Sequence, residues 1–207
     1  MCKTVVYGGS FDPLHFGHIE LAKTALLETN AHRLIFIPAK VSPFKENKKQ
    51  TEFIHRFNMC KLACAYIDNS TVDDIEYHLP TPSYTVNTLC EIKKKYNDAL
   101  IFVCGADSFM DLDRWKNPEE IFSMAKIYTA VRDDVDMDAL NTKKAQLEKM
   151  GAKVILSKMP KIDISSTEVR ENIKNNIPCD ELIPKEILEY INTQNLYKAV
   201  RPYFCQV

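Results

Sequence analysis

Glycine is scarce in this sequence: five residues in 207, at positions 8, 9, 17, 105 and 151. Neither G-x-x-x-x-G-K-[ST] nor G-x-G-x-x-G occurs, so the two commonest glycine-built phosphate loops are excluded. No apolar run approaches the roughly 20 residues that cross a bilayer. The opening MCKTVVYGG is too short in apolar residues to be a signal peptide. Cysteine is present seven times, an odd number, without a C-x-x-C pair, which argues against a disulfide framework and for a reducing compartment. Cys60 and Cys64 lie four apart on an apolar helical pattern and read as core. Charge excess is missing too: the net charge is -1, spread along the chain, which argues against a nucleic-acid groove or a membrane-surface binder. Repeats and low-complexity linkers are absent. The expectation is a cytoplasmic protein of one domain, residues 1–207, with a helical C-terminal segment at about 165–197 and a tail at 198–207.

What remains is a globule with 45% hydrophobic and 27% charged residues, enough for a sizeable core. Short aliphatic runs recur at Thr4–Tyr7, Leu34–Ile37, more weakly Val72–Ile75, then Leu100–Cys104, Ile127–Val131 and Val154–Leu156. Helical patterns separate them. Residues 16–30 set Ile19, Ala22 and Leu26 on one stripe, and residues 52–66 set Phe53, Phe57, Leu62 and Ala65 mostly on one side. Residues 184–195 form a last helix, with Pro184 suited to its first turn. Alternating strands and helices predict an α/β fold: a doubly wound, Rossmann-like, mainly parallel sheet flanked by helices.

In such a sheet, ligands bind beyond the carboxyl ends of the strands, where strand order reverses. Three of the five glycines and two of the five histidines crowd into GGSFDPLHFGH, residues 8–18, directly behind the first strand. Gly8 and Gly9 are expected to permit a backbone turn and close approach of a ligand. His15 and His18, three apart, share one face of a helix that starts near His15. Its free N–H groups and positive dipole end suit an anion such as a phosphate, and Gly17 leaves that surface open. Half of a metal site is the competing reading, but no further His/Cys cluster completes it.

A second helix start lies in KIDISSTEVR, residues 161–170. Ser165 and Glu168 fit a capping box. The hydroxyls of Ser166 and Thr167 and the cation of Arg170, one turn in, make a second cradle for the outer phosphates of a nucleotide.

GGSFDPLHFGH resembles the G-x-F-x-P-x-H-x-G-H motif of the nucleotidyltransferase superfamily, and ISSTEVR its I-S-S-T-x-[IV]-R motif. Together they are strongly specific. Within that superfamily the chain to about Tyr197 resembles the bacterial nicotinate-nucleotide adenylyltransferases, also through PSYTVNTL at 82–89, GADSF at 105–109, Trp115 and ILEYINTQNLY. The resemblance implies that ATP and nicotinate mononucleotide give deamido-NAD and pyrophosphate. His15, His18 and Arg170 would be catalytic. The ATP site would add Gly8, Gly9, Ser10, Phe11, Gly105, Asp107, Ser165, Ser166 and Thr167. Lys45, Ser83, Tyr84, Thr85 and Trp115 would hold the acceptor, with Trp115 stacked on the pyridine ring. Mg²⁺ is expected to be bound mainly through the ATP phosphates, without metal ligands from the chain.

Each middle segment also has a plainer reading: capping for Ser83–Thr85 and Asp107, core packing for Trp115. Two positions depart from the family. The family's P-P-H-K is Ser42-Pro43-Phe44-Lys45 here, and the aromatic that often follows the tryptophan is Lys116. Both lie toward the acceptor, so adenylyl transfer is better supported than the acceptor's identity. Nicotinamide mononucleotide and pantetheine phosphate stay open as alternative acceptors, as does a non-catalytic nucleotide-binding regulator. H-x-G-H also belongs to class I aminoacyl-tRNA synthetases, a reading that 207 residues without a basic tRNA surface argue against. Both a monomer and a homodimer are open.

Overall fold

The computed structural model describes residues 2–41, 50–131, 137–159, 162 and 164–198. Lys45 and Phe44, and the tail beyond Lys198, lie outside the described residues.

Strand β1 (Lys3–Gly9) is followed by helix α1 (Phe16–Glu28), strand β2 (Arg33–Pro38), helix α2 (Phe53–Ala63) with a 3₁₀ turn at Cys64–Tyr66, and strand β3 (Ser70–Val72). Short helix α3 (Ile75–His78), α4 (Thr85–Tyr96), strand β4 (Ala99–Val103), α5 (Ala106–Met110), a 3₁₀ turn at Leu112–Arg114 and α6 (Pro118–Met124) come next. Strand β5 (Ala125–Val131), α7 (Met137–Lys149), strand β6 (Val154–Lys158), α8 (Ser166–Lys174) and α9 (Lys185–Thr193) complete the order. The strands form one sheet in the order β3-β2-β1-β4-β5-β6, and all the pairs are parallel. This is the doubly wound, Rossmann-like arrangement, with its reversal between β1 and β4.

Strands buried on both faces read as continuous apolar runs, which is why VVY, LIFI and LIFV were legible as strands. Their side chains alternate between two cores. Val5, Tyr7, Leu34, Phe36, Ile101 and Val103 face one, covered by α1, α2, α8 and α9. Val6, Ile35, Ile37, Leu100 and Phe102 face the other, covered by α4, α5, α6 and α7.

Two expectations need correction. The run at Val72–Ile75 is not one strand: β3 ends at Val72, the side chain of Asp73 accepts the N–H of Ile75 at 3.0 Å, and α3 begins there. An aspartate that bonds two residues ahead turns the chain. In α2 the buried stripe is Arg56, Met59, Cys60 and Ala63, whereas Phe53, Phe57 and Leu62 are half-buried and Ala65 is exposed. A buried arginine broke the apolar pattern. Elsewhere the six described cysteines are free, and burial pushes the thiols of Cys60 and Cys104 up, Cys104 to about 12, as core packing predicts. No helix among the described residues is long and apolar enough to cross a membrane.

Candidate active site

β1 delivers Gly8 and Gly9 to the carboxyl edge of the sheet, but the expected turn does not lie at the glycines. Both are strand residues, and the left-handed backbone sits at Phe11, with φ of 49°. The Phe11 ring is buried against Tyr7 and Phe36, with centroids at 5.3 and 5.6 Å. A Cβ on Gly9 would come within 2.9 Å of that ring. Gly9 therefore makes room for Phe11. With its side chain in the core, Phe11 can offer a nucleotide only its backbone.

α1 starts where the spacing placed it, with His15 as N-cap. The rings of His15 and His18 lie with centroids 3.7 Å apart, and His18 Nδ1 accepts the His15 backbone N–H at 3.3 Å. An accepting Nδ1 puts the proton on Nε2, so His18 carries a donor there. His15 is buried and His18 half-buried. A Cβ on Gly17 would meet the His15 ring at 3.1 Å, so this glycine lets the imidazole lie over the first turn. Not every N–H there is open: that of Phe16 bonds the carbonyl of Leu182 at 3.0 Å.

The second motif reaches the first directly. Ser165 caps α8, with the Glu168 N–H donating to its Oγ at 3.1 Å and Glu168 Oε2 accepting its N–H at 3.4 Å. Ser166 Oγ donates to the carbonyl of Pro13 at 3.0 Å. Arg170 Nη1 donates to the carbonyl of Asp12 at 2.7 Å across 158 residues of sequence, and Nη2 to Thr167 Oγ1 at 3.1 Å. Two helix N-termini thus converge on one loop. The guanidinium has five N–H donors, so these two bonds leave it others for a ligand.

Three residues of this region were not anticipated: Asp12, Arg56 and Tyr197. Arg56 is 1% exposed. Its Nε donates to the carbonyl of Thr51 at 2.9 Å, Nη1 to that of Ser10 at 2.9 Å and Nη2 to that of Lys40 at 3.3 Å. Burial works against its charge, and the Asp12 carboxylate is the largest influence in its favour. Asp12 itself accepts the N–H of Thr51 at 3.2 Å and the hydroxyl of Tyr197 at 2.6 Å. Burial and Asp12 hold the Tyr197 phenol above the tyrosine range, so it stays a donor. One carboxylate therefore ties the first motif to the segment before α2 and to the C-terminal end. The signal for Arg56 was a lone cation on an apolar stripe. Asp12 sat inside the quoted motif, but its partner is 185 residues away.

The remaining predicted residues among those described lie along the same sheet edge. Gly105, not Asp107, is the N-cap of α5, and both are exposed after β4. Trp115 is partly buried, edge-on to Phe102 at 5.9 Å, and Phe102 in turn lies 3.4 Å from where a Cβ on Gly8 would be. Ser83 is structural: its N–H bonds the carbonyl of Val41 at 2.9 Å, and its Oγ accepts the N–H groups of Lys40 and Val41 at 3.1 and 3.3 Å. Its N–H is not available to an acceptor. Tyr84 caps α4, and the first-turn N–H groups of Thr85 and Val86 have no partner within the helix. Below them, buried Glu76 accepts from Thr88 Oγ1 at 2.7 Å.

A family model described as cytidylyltransferase-like matches residues 6–172. The protein named "Probable nicotinate-nucleotide adenylyltransferase" of Carboxydothermus hydrogenoformans is 36% identical over 198 residues, 95% of this chain and 98% of that one. The chain belongs to the nicotinate-nucleotide adenylyltransferase family. A relative of the same name in Clostridium novyi is 36% identical over 200 residues, 96% of this chain and all of that one. Among solved structures, the Plasmodium falciparum nicotinic acid mononucleotide adenylyltransferase complexed with NaAD superposes with a TM-score of 0.78 at 23% identity, covering 95% of this chain and 98% of that one. At that identity the likeness establishes the nucleotidyltransferase fold.

Proposed function

We propose that this chain, working as one domain, transfers the adenylyl group of ATP to nicotinate mononucleotide, giving deamido-NAD and pyrophosphate. The observation that carries this reading is the clamp of α8 onto the first motif, in which Ser166 and Arg170 bond the carbonyls of Pro13 and Asp12. It brings two dipole ends, two imidazoles and a guanidinium to the sheet edge beside the strand-order reversal, where a triphosphate needs them. The relatives that match along nearly the whole chain supply the acceptor.

In this reading a phosphate oxygen of the mononucleotide attacks the α-phosphorus of ATP in line. The new P–O bond forms as the bond to the β-phosphate breaks, and pyrophosphate leaves with the electron pair. Nucleophile and leaving group are already ionised, so no general base is needed. Catalysis reduces to positioning and charge stabilisation. His18, with its proton on Nε2, and His15 donate to the phosphoryl oxygens, and Arg170 holds the outer phosphates. Ser165–Thr167 line the cradle at the start of α8, with Gly105 and Asp107 toward the nucleoside.

The donor set fits a divalent ion that arrives on the nucleotide. The one described cluster at metal-ligand spacing, Cys2, His32 and Asp98, precedes β1, β2 and β4 and so lies at the opposite end of the sheet. The carboxylate of Asp12 is committed to Thr51 and Tyr197. Mg²⁺ held by the phosphates would supply neutralising charge to the departing pyrophosphate. The free thiols of the described cysteines support a cytoplasmic location.

The test is product identification. Protein, ATP and Mg²⁺ are incubated in turn with nicotinate mononucleotide, nicotinamide mononucleotide and pantetheine phosphate. Deamido-NAD and equimolar pyrophosphate from the first are the expected result. Dinucleotide from another acceptor alone would overturn the assignment, and no pyrophosphate from any would overturn adenylyl transfer.

A further inference from the structure

Asp12 meets the cation of Arg170 through its backbone and not through its charge. Arg170 Nη1 donates to the Asp12 carbonyl at 2.7 Å. Among the described residues no carboxylate is within ion-pair distance of this guanidinium. The carboxylate of Asp12 is taken up elsewhere: one oxygen accepts the Tyr197 hydroxyl at 2.6 Å, the other the N–H of Thr51 at 3.2 Å. A guanidinium fork and a carboxylate form the strongest pairing open to either, above all away from water. Here two bonds, one to each oxygen, fix the rotation of the carboxylate, and in that setting Arg170 meets only the carbonyl. Burial and the Asp12 charge hold the Tyr197 phenol up while the charge of Arg170 pulls it down, so the hydroxyl feels both groups.

The chain bends to deliver this hydroxyl. After α9, Asn195 and Tyr197 take left-handed backbone, with φ of 53° and 62°, and the N–H of Leu196 returns to the carbonyl of Ile191 at 3.0 Å. Such a φ is common for asparagine and unfavourable for a bulky side chain, and it persists where surrounding contacts over-determine it. α9 is itself anchored on α2: the Tyr190 hydroxyl bonds Asn58 Nδ2 and His55 Nδ1, each at 2.9 Å. α2 also carries Arg56, which holds the carbonyls of Ser10 and Thr51. The tyrosine and the loop it bonds share one support.

We propose that Tyr197 is a positioning residue for nucleotide binding, whose hydroxyl keeps the Asp12 carboxylate from pairing with Arg170 and so leaves the guanidinium to phosphate. The proposal rests on the reading of Arg170 as a phosphate ligand and deepens it. Without the hydroxyl, one carboxylate oxygen loses its partner while the guanidinium is bonded to the same residue. The two then pair, and ATP must break that pair before Arg170 can hold its outer phosphates.

The test is a double-mutant cycle read as Kd for ATP, by direct titration with Mg²⁺ and without acceptor, in the wild type, Tyr197→Phe, Arg170→Ala and the double variant. Tyr197→Phe should weaken ATP about tenfold, the scale of one lost charge-assisted contact. Arg170→Ala should cost about tenfold alone but less than about twofold on top of Tyr197→Phe, where the guanidinium is already withdrawn. Adding Asp12→Asn to Tyr197→Phe should recover most of the affinity, because the amide keeps the shape and loses the charge. A tyrosine that only stabilises the fold predicts the reverse: the full cost of Arg170→Ala in either background, and a further loss from Asp12→Asn. Either result overturns the proposal, as does ATP affinity unchanged in Tyr197→Phe. If Asp12→Asn unfolds because Arg56 has lost its counter-charge, the cycle alone decides. A wild type that binds no ATP, or binds it no better than Arg170→Ala, overturns the phosphate reading of Arg170 and this inference with it.

Discussion

The two ends of the site are built differently. At the proposed phosphate end, bonds between distant parts of the chain tie the elements together: α8 grips Asp12 and Pro13, Tyr197 reaches Asp12, and Arg56 gathers the carbonyls of Ser10 and Lys40 besides that of nearby Thr51. At the acceptor end, Tyr84 and Trp115 are only partly buried, and Lys116 is exposed, touching Tyr84 through its ring. The first end is over-determined, and a substitution there disturbs several partners at once. The second can change one residue at a time. In the proposed reading, phosphate chemistry falls in the over-determined half and the choice of acceptor in the adaptable half.

The largest expected effect is on His18. His18→Ala should lower kcat by roughly two to four orders of magnitude, the scale of one preorganised charge-stabilising donor. It should do so equally for either mononucleotide, as steady-state kinetics would read out. A folded mutant with wild-type turnover would take the histidine out of the chemistry. Arg56 comes next. Arg56→Met leaves three carbonyls without their donor and should cost about 3 kcal/mol or more of stability in urea unfolding. A loss below about 1 kcal/mol would mean that water satisfies those carbonyls.

Tyr197→Phe removes a single half-buried donor and leaves the ring. The expected loss is about 1–2 kcal/mol of stability, with kcat reduced severalfold at unchanged acceptor ratio. A shift in that ratio would couple the two ends and break the comparison. The smallest effect concerns Glu76, beneath α4. Burial pushes its carboxyl above the ordinary value of 4.5, with Thr88 and Ser83 pulling the other way. A group with a raised native pKa binds more protons folded than unfolded between the two values, so its contribution falls as pH rises through that window. The stability of the wild type relative to Glu76→Gln should therefore decline with rising pH from about 4.5 and level off above the raised value. Denaturant midpoints across the acidic range measure it, and a relative rise would contradict the burial argument.

The sheet was legible because parallel strands buried on both faces leave aliphatic runs that nothing else in the chain imitates. Both helix starts were legible because caps and spacing are local: His15 and Ser165 stand where their motifs placed them. The misreadings share a cause, namely that a tertiary partner overrode a local pattern. Gly9 looked like a turn residue and proved to be space for the Phe11 ring. Ser83 looked like a ligand donor and proved to be bonded to Val41. The stripe of α2 was misjudged because Arg56 is buried with carbonyls from two connections, that of Ser10 after β1 and those of Lys40 and Thr51 between β2 and α2, which a helical pattern does not reveal. Asp12 and Tyr197 could not be paired by any spacing rule, since only the folded chain brings them together.

The separation of the two ends is tested most directly by Arg170→Ala assayed with both mononucleotides. The guanidinium lies in the clamp, and in the proposed reading it holds the outer phosphates in ground and transition states alike. The substitution is expected to raise KM for ATP and lower kcat/KM by about tenfold or more with either acceptor. The nicotinate-to-nicotinamide ratio should stay within about twofold of the wild type, since a lost phosphate contact weakens both acceptors alike. A ratio that collapses with Arg170, or ATP kinetics left within about twofold as for an exposed surface cation, would contradict the account.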